Sequence, residues 1–204
     1  MQLMVLSNPV HLADEHRLIN ALFEAGLTCF HLCKPGLKKD EFTDFLQQIS
    51  PRFYRRIIIH SHYSLIGRFN LAGIHLSHDF LKSVDEAEVK ALFKAARSRN
   101  LQLGTSVHSI EGAEAIGAKY SYIFLEASFE LPLLQTFLSQ ARHEIAMLKN
   151  TKMIGNEKLI PIEQGRRMDV EGIVISDGVW NDFSKNRDVE GAVEKFKQMQ
   201  AKAT

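Results

Sequence analysis

Eight short apolar or β-rich runs, separated by segments of helical spacing, constrain the fold more than any other feature of this chain. The runs cover residues 3–6, 27–32, 57–59, 73–76, 101–107, 120–125, 152–154 and 172–175. Their continuous apolarity is that of strands buried on both faces. Between them, residues 15–25, 41–49, 85–99, 110–116, 133–148, 157–168 and 189–201 place apolar side chains at helical intervals. Such alternation predicts a parallel α/β fold. Eight strands in 204 residues predict a compact (β/α)8 TIM barrel, one domain over 1–204, somewhat shorter than the ~250 residues typical of that fold. An open doubly wound sheet is the alternative, but it usually has a glycine-rich turn after its first strand, and LSNPVHLAD has none.

Local signals set several boundaries. Asp14 is expected to cap the first helix and Gly26 to end it, and Ser83 with Glu86 has capping-box spacing. Residues 63–70 leave room for only about two helical turns. Pro161 interrupts the segment 157–168.

The 25 Lys and Arg nearly balance the 24 Asp and Glu, so no global charge recruits nucleic acid or an anionic membrane. Two cysteines, Cys29 and Cys33, do not make a disulfide framework and read as reduced thiols. The N-terminus lacks a basic region followed by a long apolar stretch, and no run approaches the ~20 apolar residues of a membrane span. A soluble, cytoplasmic protein is expected.

Six of the nine histidines stand at or just past the ends of these runs: His31, His60, His62, His75, His78 and His108. In a barrel of this type the active site forms at the C-terminal strand ends, where side chains from several strands converge. An imidazole can both take and give a proton near neutrality. Taken singly, His75 reads as a satisfied core histidine, and Trp180 as packing a helix on the barrel. Arg52, Arg55 and Arg56 precede the third strand, at the opposite end, and read as a solvated face. Phe42, Phe45, Leu46 and Ile49 have the spacing of a helix packed on the barrel.

In order, these strand ends resemble the thiamine phosphate synthase and thiazole tautomerase family of small (β/α)8 barrels. The carrying segments are FHLCKPG at 30–36, GIHLSHD at 73–79 and GTSVHSIEGAEAIGAKYSYIF at 104–124. Synthase members join a pyrimidine diphosphate to a thiazole phosphate and release pyrophosphate, using magnesium and basic residues. The family's Gln-x-Arg-x-Lys after strand two matches His31, Cys33 and Pro35 here, with Lys34 a shifted candidate for phosphate. Its Asn-Asp after strand three is His60 and Ser61. Its second metal carboxylate falls at Phe80, with Asp79 beside it as a weak metal candidate. Its Thr-x-Thr-Lys after strand six is absent from LEASFELPLLQ. The family's Gly-Gly after strand seven is reduced to Gly155, while the phosphate loop of strand eight survives in outline as Ser176, Asp177 and Gly178.

The fifth strand is similar to the Ser-Val-His-Ser segment of thiazole tautomerases, whose histidine moves a proton as the thiazole carboxylate becomes aromatic. The resemblance therefore implies a phosphorylated small thiazole as partner, His108 as the catalytic residue, and His31, Lys34, His60, His62 and Ser106 as substrate contacts. It implies no cofactor beyond Mg2+ if synthase activity is retained, and it leaves a homodimer open. Two other readings stand beside it. His60-x-His62, with His31, His75, His78 and His108 nearby, suits a zinc hydrolase. The lost arginine, carboxylate and Thr-x-Thr-Lys positions suit a non-catalytic binding descendant.

Overall fold

The computed structural model describes residues 1–109, 112–113, 119–126, 134–138 and 151–203. Eight parallel strands close into a barrel in sequence order. They are β1 (Gln2–Leu6), β2 (Phe30–Leu32), β3 (Ile57–Ile59), β4 (Gly73–Leu76), β5 (Gln102–Val107), β6 (Tyr122–Leu125), β7 (Lys152–Asn156) and β8 (Gly172–Ile175). The barrel closes where Gln2 to Val5 of β1 pair with Gly172 to Ile175 of β8.

Successive side chains of a strand point to opposite faces, which divides the core in two. The outer layer joins Leu3 and Val5, Phe30 and Leu32, and Ile57 and Ile59 to the apolar stripes of the helices. Met4, Cys29, Ile58, Tyr122, Phe124, Ile154 and Val174 fill the inside. Gly104 shows why one inward position carries no side chain: a Cβ there would lie 1.9 Å from Tyr122 Cζ. The Tyr122 ring therefore crosses the space beside β5 only because residue 104 is glycine.

The helices are α1 (Glu15–Glu24), α2 (Lys39–Gln47), α3 (His78–Ser83), α4 (Glu86–Ser98), α5 (Asp177–Asn186) and α6 (Val189–Ala203). Helix α1 buries Leu18, Ile19, Leu22 and Phe23, and Phe42, Phe45, Leu46 and Ile49 are likewise buried. Gly26, with φ of 100°, follows α1 in the left-handed region that glycine adopts without strain. Among the described residues no helix is long and apolar enough to cross a membrane.

Several local expectations change. Asp14 is left-handed, with φ of 59°, and makes no side-chain cap bond. Asp85 rather than Ser83 caps α4, accepting from the Glu88 amide, while Ser83 ends the added short helix α3. The helix expected over 157–168 reduces to the 3-10 turn Ile162–Gln164, because Pro161 can start a helix but not continue one. Of the helices expected at 110–116 and 133–148, only 112–113 and 134–138 are described, and these are helical; the rest lie outside the described residues.

Candidate functional site

Inward positions on neighbouring strands bring three imidazoles together in the upper barrel. His31 lies in the middle of β2, His60 follows β3 and His75 lies in β4. His31 and His75 are buried, and His60 keeps an edge toward the mouth. His31 Nδ1 lies 3.0 Å from His60 Nε2, and Cys29 Sγ lies 3.5 Å from His31 Nε2. A donated Cys29 S–H and a donated His31 Nδ1–H give each of these atoms one role. His75 is held at both nitrogens, with Nδ1 3.1 Å from the Tyr122 hydroxyl and Nε2 3.0 Å from Ser106 Oγ. The neutral ring therefore donates at one end and accepts at the other.

Removal from water disfavours the charged form of all three rings. Desolvation, with smaller repulsion from neighbouring imidazoles, holds His31 and His75 well below the usual histidine range. Desolvation pushes His60 down to about 3, and the same cause raises the Cys29 thiol to about 12. The trio is thus neutral, and neutral imidazole is the form that ligates metals. One donor nitrogen from each ring lies within 4.8 Å of the others. Their orientation opposes a shared ion, however. His60 and His75 stack at 4.2 Å with an interplanar angle of 9°, so their lone pairs lie in two nearly parallel, separated planes and do not meet at one in-plane point. Asp79, the weak metal candidate, lies apart from this cluster on α3, exposed in its first turn.

Two other expected contacts are engaged by the protein itself. His62, left-handed with φ of 52°, donates its Nε2–H to the Leu37 carbonyl at 2.8 Å, tying the β3 loop to the segment before α2. Lys34 is turned toward α1, where its Nζ donates to Glu15 Oε2 at 2.6 Å and to the Val10 carbonyl at 2.9 Å. Both charged side chains are fully buried. Burial lowers the lysine pKa, and the bond and charge of Glu15 offset part of that. The ammonium expected at a phosphate is compensated inside the fold.

The mouth presents hydroxyls and imidazoles. Ser106 faces it from β5 and Tyr63 braces it from below, with its hydroxyl 2.8 Å from the His60 carbonyl and 2.9 Å from that of His75. Ser61 Oγ is buried with no hydrogen-bond partner among the described residues. His108, just past β5, is exposed, and its ring lies 5.5 Å from that of His78 at the start of α3.

The strand-eight loop also holds an anion, one belonging to the chain. Glu157 Oε1 accepts from the backbone amides of Ser176 and Asp177, each at 2.6 Å. Lys158 pairs with Asp177 at 3.0 Å. Gly155 lies within β7, and a Cβ there would come 2.6 Å from Ile160 Cδ1, so its missing side chain serves packing. Of the phosphate seat expected at Ser176, Asp177 and Gly178, the first two amides are therefore taken by a carboxylate.

No family model matches the chain. The thiamine-phosphate synthase of Citrobacter koseri is 29% identical over 140 residues, a match covering 64% of this chain and 63% of that protein. The chain thus spans less than two thirds of that relative's length. The crystal structure of thiamine phosphate pyrophosphorylase from Bacteroides thetaiotaomicron superposes with a TM-score of 0.78 at 25% identity, covering 100% of this chain and 98% of that one. In sequence and in fold the chain is similar to thiamine phosphate synthases. The thiamine phosphate pyrophosphorylase of Pyrococcus furiosus, with a TM-score of 0.71 at 15% identity over 99% of this chain and 96% of that one, shares the fold.

The family's magnesium and diphosphate positions are poorly suited to those ligands here. Magnesium takes hard oxygen donors, usually carboxylates, whereas the matching places hold His60, Ser61 and Phe80. His60 is committed to His31, and Phe80 packs edge-on against Tyr63 at 4.8 Å. These residues do not fit the ion. The arginine position is Cys33, whose amide is held by Ser7 Oγ at 2.9 Å. Thus a thiamine phosphate synthase-like barrel carries imidazole, hydroxyl and phenyl groups at the places that match the family's metal ligands.

Sequence reasoning missed Glu157, Glu15, Tyr63 and Tyr122, and named Ser61 only as the residue at the family's Asn-Asp place. For Glu157 a signal existed: the family's glycine pair after strand seven is reduced to one, with a carboxylate two residues on. Glu15 stands 19 residues from Lys34 on a helix read only for its apolar stripe.

Proposed function

We propose that this chain acts on a thiazole of the thiamine-precursor class by tautomerase-type proton transfer, without magnesium or departing diphosphate, and that His108 carries the proton. The observation that carries this reading is the position of His108, exposed just beyond β5 and facing His78. The deeper imidazoles are poorer proton carriers because burial disfavours their charged forms. A solvated imidazole can accept a proton from the saturated ring carbon that bears the carboxylate. The electron pair released closes the aromatic ring, and a proton returns to the exocyclic carbon. Atoms and electrons balance without an oxidant.

Ser106, whose hydroxyl keeps further hydrogen-bonding capacity beside its contact with His75 Nε2, is placed to orient such a heterocycle. The test is turnover of the carboxylated thiazole tautomer by wild type and His108→Gln. A loss of about 10²–10⁴-fold is expected for removal of a general acid–base group. Full turnover by a folded His108→Gln protein would remove His108 from the mechanism.

A further inference from the structure

We infer that Glu157 is a specificity-determining residue: its carboxylate occupies the anion seat between β8 and α5 and restricts the barrel to ligands that bring an uncharged group there. Helix N-termini favour anions because their first amides are unpaired and the helix dipole is positive at that end. In this chain both relevant amides, of Ser176 and Asp177, already donate to one oxygen of Glu157 at 2.6 Å.

The surroundings hold the carboxylate in place. Glu157 follows β7, and its own amide donates to Val174 of β8 at 3.0 Å, so the side chain springs from the barrel rim rather than from a free loop. A Cβ at residue 178 would lie 3.2 Å from Glu157 Oε2 and 3.0 Å from Met199 Sδ. Gly178 leaves the room that the second oxygen uses. Lys158, the neighbouring cation, is engaged by Asp177 and adds no unpaired positive charge to the seat. A phosphate entering would have to expel Glu157 or share the site against like-charge repulsion.

The ligand class this selects rests on the thiazole reading above: the hydroxyethyl thiazole as its free alcohol rather than its phosphate ester. The same seat is tested without any thiazole by titrating inorganic phosphate into wild type, Glu157→Gln and Glu157→Ala, followed by calorimetry. Wild type is expected to show no phosphate binding at millimolar concentration, and Glu157→Ala to bind at least about tenfold more tightly. Glu157→Gln keeps an acceptor for the two amides and so guards against misfolding, and it should fall between them. Equal phosphate binding by wild type and Glu157→Ala, or none by either variant, would overturn the assignment. In parallel, wild type should prefer hydroxyethylthiazole to its phosphate and Glu157→Ala should reverse that order. If phosphate binding responds to Glu157 while neither thiazole binds, the anion seat stands and the thiazole reading fails.

Discussion

Acidification should destabilise this protein steeply because three neutral imidazoles are locked inside the barrel. In the unfolded chain each histidine titrates at the ordinary 6.5, whereas in the fold desolvation takes His60 to about 3 and His31 and His75 well below the ordinary value. Between those limits the unfolded state binds more protons than the native state, so stability falls as pH falls. The loss begins near 6.5 and continues down to the native pKa values. Each histidine left unprotonated costs about 1.4 kcal/mol per pH unit below its unfolded pKa. At about pH 5 that is ~2 kcal/mol per ring and ~6 kcal/mol for the three, against a total stability of ~5–15 kcal/mol for a typical domain. Urea unfolding at about pH 7.5 and about pH 5 measures the difference. His75→Gln keeps a donor and an acceptor but removes one titrating group, and should recover roughly a third of the acid loss. A change below about 1 kcal/mol in wild type would show that the rings protonate in the native state, refuting the desolvation argument.

Three further outcomes follow from the packing and the site. Gly104→Ala drives a methyl into Tyr122, displaces the hydroxyl from His75, and should cost about 1–3 kcal/mol or more in urea unfolding. Lys34→Met removes the buried ammonium from Glu15 Oε2, leaving only the exposed His11 imidazole and the Leu12 amide on the other oxygen, and should cost about 3–5 kcal/mol, with most of it returned by pairing the change with Glu15→Leu; a double-mutant cycle measures this coupling. His108→Gln should lower turnover far more than it lowers stability in urea unfolding, as for an exposed side chain. Equal losses of stability and turnover would mark His108 as structural.

The barrel was legible because its strands are buried on both faces and read as continuous apolar runs, so even the three-residue β3, IleIleIle, stands out. The strand-end histidines were legible for the same reason, as polar residues interrupting those runs. Their relation was not. That His31 bonds His60 while His60 stacks on His75 depends on how neighbouring strands are staggered, and no spacing within one strand encodes it. The reading of Lys34 as a phosphate ligand followed its loop position, whereas the burial of Glu15 opposite it depends on how α1 seats against the barrel. Residues 157–168 carried a helical pattern, but Pro161 and the diversion of Glu157 to the neighbouring loop amides leave a 3-10 turn there.

Calorimetric titration with carboxylated hydroxyethylthiazole, with and without magnesium, shows whether the barrel takes this heterocycle without the metal. A thiazole site built from hydroxyls and imidazoles, with no carboxylate set for the metal, predicts binding of the same affinity in both conditions. Binding that appears only with magnesium, or no binding in either, would contradict the account.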